Sequence, residues 1–231
     1  MTNTKKRILA GAIMAGVAGI AAAIECFGFP IITNWYFDVR FFEIPAIKIL
    51  SVIIVIGMIK ELVWQFFKLP RKKRFEKSNA IIFGLGFALL LLMLASAYQV
   101  GGRPWIILLL LLTISAADIG AWFFGRLIGG DKMWEKLSPG KTWAGQIAGI
   151  LCGTFASIMY GLLGTDTFMP QLLWIGISVS LMSQYGDLTA SWLKRKLGIK
   201  DFGTIFPGHG GFLDRFDGWI YVLPIIWLVM L

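Results

Sequence analysis

Apolar residues run along this chain in long blocks, each closed by a polar or basic cluster. A helix needs about 20 apolar residues to cross the hydrocarbon core of a bilayer. Six blocks of that kind predict spanning helices over 8–29, 45–67, 80–99, 104–124, 142–163 and 171–193. A last run, 212–231, reaches spanning length if its helix starts near Phe212, with Pro224 bending it or accommodated by neighbours. Transmembrane barrels alternate apolar and polar positions instead of sustaining such blocks. The fold class is therefore all-α: a polytopic integral membrane protein with about seven transmembrane helices. Lys5, Lys6 and Arg7 before the first block, and Ala21 to Ala23 within it, resemble a cleavable signal. The apolar stretch exceeds the ~7–15 residues of such signals, so a retained first helix is the reading.

Composition sharpens this picture. Hydrophobic residues make up 57% of the 231 positions, charged residues 15%, and the mean hydropathy is +0.75. These values exclude a soluble globular enzyme, a disordered chain and a disulfide scaffold. The net charge of +9 would suggest nucleic acid in a soluble protein. Here the 22 lysines and arginines are placed asymmetrically. All but Arg40, Arg103, Lys48 and Lys60 fall in segments on one side of the predicted spans. Basic segments stay cytoplasmic, which puts the N-terminus inside, the C-terminus outside, and leaves no case for a nucleic-acid partner. The basic loop 68–77 also suits anionic headgroups, although a topology signal alone accounts for it. Cys26 and Cys152 lie in apolar runs and read as small buried hydrophobes.

Four acids fall inside the predicted spans: Glu25, Glu61, Asp118 and Asp187. Glu25 and Glu61 lie near helix ends and are expected to reach polar headgroups. Asp118 and Asp187 sit deeper, beside small residues that suit close packing around a polar interior, and a buried carboxylate needs a partner or a job. Before the fifth block, Ser138 is expected to cap a helix whose first residue is Pro139. With Lys141 and Thr142 this helix start would form an anion site, or simply an ordinary capped start. It is not a P-loop, because Glu135 stands where that pattern needs glycine.

The densest polar segment is 191–217. Around Pro207 the glycines 208, 210 and 211 favour a turn, whose N–H groups could cradle phosphate oxygens. His209 within it reads either as a polar turn residue or as a phosphate donor. In a helix starting near Phe212, Asp214 and Asp217 share one face. With Asp187 they would make an all-oxygen site suited to Mg²⁺, which takes carboxylates together with substrate phosphates.

This segment resembles the CDP-diacylglycerol synthases, or phosphatidate cytidylyltransferases. The resemblance is carried by Ser191, Lys194-Arg195, Lys200-Asp201, Pro207, His209-Gly210-Gly211 and Asp214-Arg215-Phe216-Asp217. Upstream, the stretch from Ala117-Asp118 to Gly125-Arg126, the run Ser138 to Trp143, and Gly186-Asp187 fit as well. It covers about 114–231, which gives three N-terminal spans over 1–103 and a catalytic region over 104–231. The family commonly carries glutamate where Ala144 and Ala190 stand.

The resemblance implies transfer of CMP from CTP to phosphatidate, yielding CDP-diacylglycerol and pyrophosphate for phospholipid synthesis. The setting it implies is a bacterial inner membrane, among membrane lipids, with the site facing the cytoplasm. Asp187, Asp214 and Asp217 would hold Mg²⁺, with room for a second metal ion, and Lys200, Arg215 and His209 would complete the catalytic set. Ser138, Lys141, Thr142, Asp118, Arg126, Ser191, Lys194, Arg195, Asp201, Gly210 and Gly211 would bind substrate. A homodimer is compatible with this reading. Alternatives are a cytidylyltransferase for another lipid phosphate and a CTP- or lipid-binding homologue with weakened catalysis. A transporter would need polar residues through the full membrane depth, and the outer halves of the fourth to sixth blocks are apolar.

Overall fold

A computed structural model describes residues 46–135, 137–162 and 169–230. The first predicted span, with Glu25 and Cys26, lies outside them. Helix α1 (Ala46–Lys68) is followed by the short α2 (Arg71–Arg74), then α3 (Lys77–Val100) and α4 (Pro104–Ile128). A two-stranded antiparallel hairpin, β1 (Lys132–Trp134) and β2 (Ser138–Thr142), comes next. Helices α5 (Trp143–Leu162), α6 (Met169–Leu197) and α7 (Trp219–Val229) complete the described chain. Among the described residues, four helices are long and apolar enough to cross a membrane: Lys48–Lys68, Lys77–Val100, Trp105–Ile128 and Trp143–Leu162. They match the second to fifth predicted blocks, and the protein is a helical integral membrane protein.

The sixth block forms a helix as expected, and the last one differs. α6 forms over the sixth block with 29 residues, ample length for a span. Ser180, Ser183, Gln184 and Asp187 make it more polar than the four helices above. The seventh helix begins at Trp219, not near Phe212, and has 11 residues. At 1.5 Å per residue that is roughly 17 Å, too short to cross alone. The residues before it form turns, closed by the Arg215 N–H on the Phe212 carbonyl and the Trp219 N–H on the Phe216 carbonyl.

The chain divides into two compact units. The first holds the described residues up to Ile107, the segment Lys200–Arg215 and the end of α7 from Ile226. In it α1 packs against α3. α1 buries Val55, Met58 and Leu62, and α3 buries Leu90, Met93, Ala97 and Val100. These spacings of three and four put each set on one helix face. The rings of Phe66 and Phe83 stack across the pair with centroids 3.9 Å apart.

The second unit comprises Leu108–Ile199, which carries most of α4, the hairpin, α5 and α6, together with Phe216–Ile225. Here α5 and α6 pack along a seam of small residues. A Cβ on Gly176 would lie 2.7 Å from the Thr154 Cα, and one on Gly149 would lie 2.8 Å from both the Ala117 carbonyl and Gln184 Nε2. One on Gly153 would overlap the Ser180 hydroxyl. Only glycine permits such approach, and the short distance lets polar side chains of neighbouring helices meet.

The hairpin corrects the reading of Ser138 as a helix cap. Ser138 to Thr142 is a strand, pairing Trp134 with Ser138 and Lys132 with Thr142. The cap is Thr142, whose Oγ1 accepts the Gly145 N–H at 3.1 Å at the start of α5. The expected boundary was therefore four residues early. Pro139 is tolerated because a two-stranded ribbon consists of edge strands.

Candidate active site

Within the second unit a cavity of about 340 Å³ collects residues from five chain segments. α4 supplies Asp118, Trp122 and Arg126, β2 supplies Ser138, Gly140, Lys141 and Thr142, and α5 supplies Gly145 and Gln146. α6 adds Gln184 and Asp187, and the turn before α7 adds Asp217 and Gly218. The volume falls in the range of small-ligand sites, about 300–1,000 Å³. Seven residues singled out from the sequence thus line one space: Asp118, Arg126, Ser138, Lys141, Thr142, Asp187 and Asp217.

Its central contact is an ion pair. Lys141 Nζ lies 2.7 Å from Asp187 Oδ2 and donates to the Gln184 carbonyl at 3.5 Å. Ser191, one turn further along α6, donates to Asp187 Oδ1 at 3.4 Å. The Asp187 side chain keeps 41% of its surface exposed, so the pair faces an accessible space. Gln184 Nε2 donates to the Gln146 carbonyl at 3.3 Å, tying α6 to α5 beside the pair. Arg126 rests its guanidinium 4.7 Å from the centroid of the Trp122 ring, a cation–π placement that orients the charge.

Asp217 Oδ1 accepts the Gly218 N–H at 2.9 Å. Burial raises the Asp217 carboxyl well above the ordinary carboxylate range, and the negative charge of Asp187 adds to this, while Lys194 opposes it. Three carboxylates against two cations line the cavity. Such a site is short of positive charge and favours a cationic occupant. Among the described residues no three Asp, Glu, His or Cys side chains form a metal-holding group.

The remaining sequence candidates belong to the segment Lys200–Arg215 of the first unit, apart from Ser191, Lys194 and the exposed Arg195 in the last turns of α6. Lys200, Asp201 and Arg215 are exposed. Gly208 and Gly210 adopt φ of 78° and 86°, in the left-handed region that glycine enters without strain. The turn closes through Phe206, whose N–H donates to the Gly210 carbonyl at 2.9 Å. His209 donates its backbone N–H to the Phe206 carbonyl at 2.9 Å, and its buried Nδ1 has no hydrogen-bond partner among the described residues.

Asp214 is buried, and its Oδ2 accepts N–H groups from Phe202 at 2.7 Å, Gly211 at 2.9 Å and Gly203 at 3.4 Å. Glu61 accepts the next two N–H groups, from Phe212 and Leu213, both at 2.9 Å. Beyond them the backbone closes three-residue turns instead of the helical four-residue ladder, with the Arg215 N–H on the Phe212 carbonyl at 3.1 Å and the Trp219 N–H on the Phe216 carbonyl at 3.0 Å. Asp214 and Asp217 therefore lie in turns, not on one helix face. The expectation that Glu61 reaches headgroups is also corrected: it is only 6% exposed and bonded to backbone.

Sequence reasoning placed Glu61 at the headgroups and missed Gln146 and Gln184. Gln184 was detectable, three residues before Asp187 on one helix face. Ala190 is buried and Ala144 half-buried in the first turn of α5, and neither lines the cavity.

The profile of the cytidylyltransferase family matches residues 5–231. The chain belongs to this family. Similar proteins named phosphatidate cytidylyltransferase include those of three staphylococci. The Staphylococcus saprophyticus protein is 40% identical over 126 residues, covering 54% of this chain and 48% of the relative. The Staphylococcus epidermidis protein is 42% identical over 127 residues and the Staphylococcus aureus protein 39% over 127, with the same two coverages. The chain spans about half the length of the curated relatives it matches.

A close backbone approach holds the cavity's floor. A Cβ on Gly186 would collide with the Asp217 carbonyl and sit 3.2 Å from the Gly218 Cα. Gly186→Ala is expected to lower stability by about 1–3 kcal/mol, the usual cost of overpacking, and to reduce turnover by shifting Asp217. Thermal melting and an activity assay check this, and an unchanged melting temperature with full activity would refute the tight fit.

Proposed function

We propose that this chain transfers CMP from CTP to phosphatidate, forming CDP-diacylglycerol and pyrophosphate, with Mg²⁺, at the cytoplasmic face of a bacterial inner membrane. The observation that carries the reading is the cavity in which Lys141 pairs with Asp187 beside Asp118 and Asp217. Its relatives' names point to the same chemistry. The one-sided distribution of basic residues supports the orientation.

In the reaction an oxygen of the phosphatidate phosphate attacks the α-phosphorus of CTP. The bond to the β-phosphate bridge breaks and pyrophosphate leaves with its electron pair. Such transfer depends on positioning and charge neutralisation more than on covalent catalysis. Lys141 and Arg126 neutralise phosphate oxygens from the cavity wall. Lys200, His209 and Arg215, carried on the glycine turn and its flanks, hold further phosphate oxygens. Lys194 and Arg195, at the end of α6, draw the polyanion inward.

The donors present fit a hard cation. Mg²⁺ is typically held by one or two carboxylates plus substrate phosphates and waters, not by a full protein cage. Asp187 and Asp217 would hold it, and Asp214, three residues before Asp217, enters as a further ligand on the sequence spacing. Bound there, Mg²⁺ neutralises developing charge on the phosphates.

A neighbouring groove suits the lipid end of the substrate. Trp134 and Leu137 of the hairpin and Tyr185, Leu188, Thr189 and Trp192 of α6 line an apolar space of about 530 Å³. The same hairpin and the same helix supply Lys141 and Asp187 to the polar cavity. An amphipathic molecule could therefore rest its phosphate in one and an acyl chain in the other.

The test is purified protein in phosphatidate vesicles with labelled CTP and Mg²⁺. Labelled CDP-diacylglycerol and an equal amount of pyrophosphate are expected. No product from phosphatidate, with product from another lipid phosphate, would move the assignment to a different acceptor, and no product from any would overturn it.

A further inference from the structure

Three positions on α1, each one turn from the next, meet the segment Lys200–Arg215 that carries the glycine turn. A Cβ on Gly57 would stand 2.6 Å from the ring of Phe212, so the ring lies against bare backbone. Glu61 takes the N–H of Phe212 on Oε1 and that of Leu213 on Oε2, each at 2.9 Å. Gln65 donates Nε2 to the Phe202 carbonyl at 2.6 Å. The spacing 57, 61, 65 places all three on one face of the helix. The loop is shaped to receive the carboxylate, since a Cβ on either Gly203 or Gly211 would overlap Glu61.

From within the loop Asp214 takes the N–H groups of Phe202, Gly203 and Gly211. Five backbone donors are thus shared between two carboxylates. The two acids repel each other, so the arrangement works against their charge and is held by charged hydrogen bonds, which are about twice as strong as neutral ones. What Glu61 fixes is local: the N–H groups of Phe212 and Leu213 lie between the glycine turn with His209 and the pair Asp214-Arg215.

We propose that Glu61 is a positioning residue for this loop, fixing the backbone from which His209 and Arg215 act on phosphate. This inference rests on the transfer reading above for its functional half. The clasp itself stands apart from that reading.

The experiment uses the full chain in detergent or nanodiscs, comparing wild type with Glu61→Gln. It reads amide hydrogen exchange at Phe212 and Leu213, together with KM for CTP and kcat. Exchange at the two amides is expected to speed up by about ten- to hundredfold, from the weight of a hydrogen bond to a charged group. kcat/KM for CTP is expected to fall by about tenfold or more, for the same loss of a charged acceptor. Gln65→Met, which removes only the bond to Phe202, should shift both readouts the same way by less. It serves alone if Glu61→Gln does not fold. Glu61→Asp, which restores the charge, should recover part of the activity.

Unchanged amide exchange would overturn the clasp. Faster exchange with unchanged kinetics would reduce Glu61 to a structural staple and overturn the positioning role. A wild type that neither binds CTP nor makes product, with both amides still protected, would sink the transfer reading and the functional half of this inference with it, leaving the clasp as measured.

Discussion

Asp187→Asn is expected to lower CTP turnover by about two to three orders of magnitude, the range found when one preorganised charge partner of a reacting site is removed. The substitution keeps the shape of the side chain. It removes the negative charge that lies 2.7 Å from Lys141, so the lysine loses the partner that aims it. It also removes one of three carboxylates lining the cavity, and with it affinity for a divalent cation. The folded state should survive. The pair is partly exposed, and exposed pairs contribute only about 0–1 kcal/mol. Turnover at saturating Mg²⁺ and a melting curve check both halves. Activity within a few-fold of wild type would remove Asp187 from the site.

Asp214→Asn should behave differently, losing stability and activity together. Its Oδ2 organises three backbone N–H groups in a buried turn. An amide offers a neutral acceptor in place of a charged one, and a hydrogen bond to a charged group contributes about 1.5–3 kcal/mol. The melting temperature should therefore drop measurably, and turnover should fall because the loop that presents His209 and Arg215 is loosened. The contrast with Asp187→Asn is the diagnostic. If Asp214→Asn abolishes turnover with an unchanged melting temperature, the residue acts on substrate or metal and its role in the loop is secondary.

Much of this was legible in the sequence, for identifiable reasons. Lipid imposes a length rule, so blocks at 45–67, 80–99, 104–124 and 142–163 marked helices to within a few residues. An acid in such a block is costly, so Asp118 and Asp187 stood out, and both line the cavity. Lys141 was found as a cation at a helix start, although the element before that helix proved to be a strand. The parts that were not legible depend on contacts remote in sequence. Nothing near Glu61 announces that its partners lie 151 and 152 residues onward. The start of α7 was missed for the same reason. An apolar run with two acids reads as helix, whereas in the fold the segment anchored by Glu61 closes three-residue turns at Phe212 and Phe216. Ser138 was misread because capping preference is a local rule, and Ser-Pro fits both a helix start and an edge strand.

The clasp on α1 also has a consequence for biosynthesis. Glu61 leaves the ribosome 151 residues before the first of its two partners, Phe212. At about 5–20 residues per second, that gap lasts roughly 8 to 30 s. During this interval the carboxylate sits in a helix entering the bilayer with neither amide available to it. Until Lys200–Arg215 emerges, the carboxylate has to find other donors, such as water or headgroups near the helix end. Chains truncated before Phe212 should lack both amide donors of Glu61, so this contact is completed only when the last part of the chain has been made.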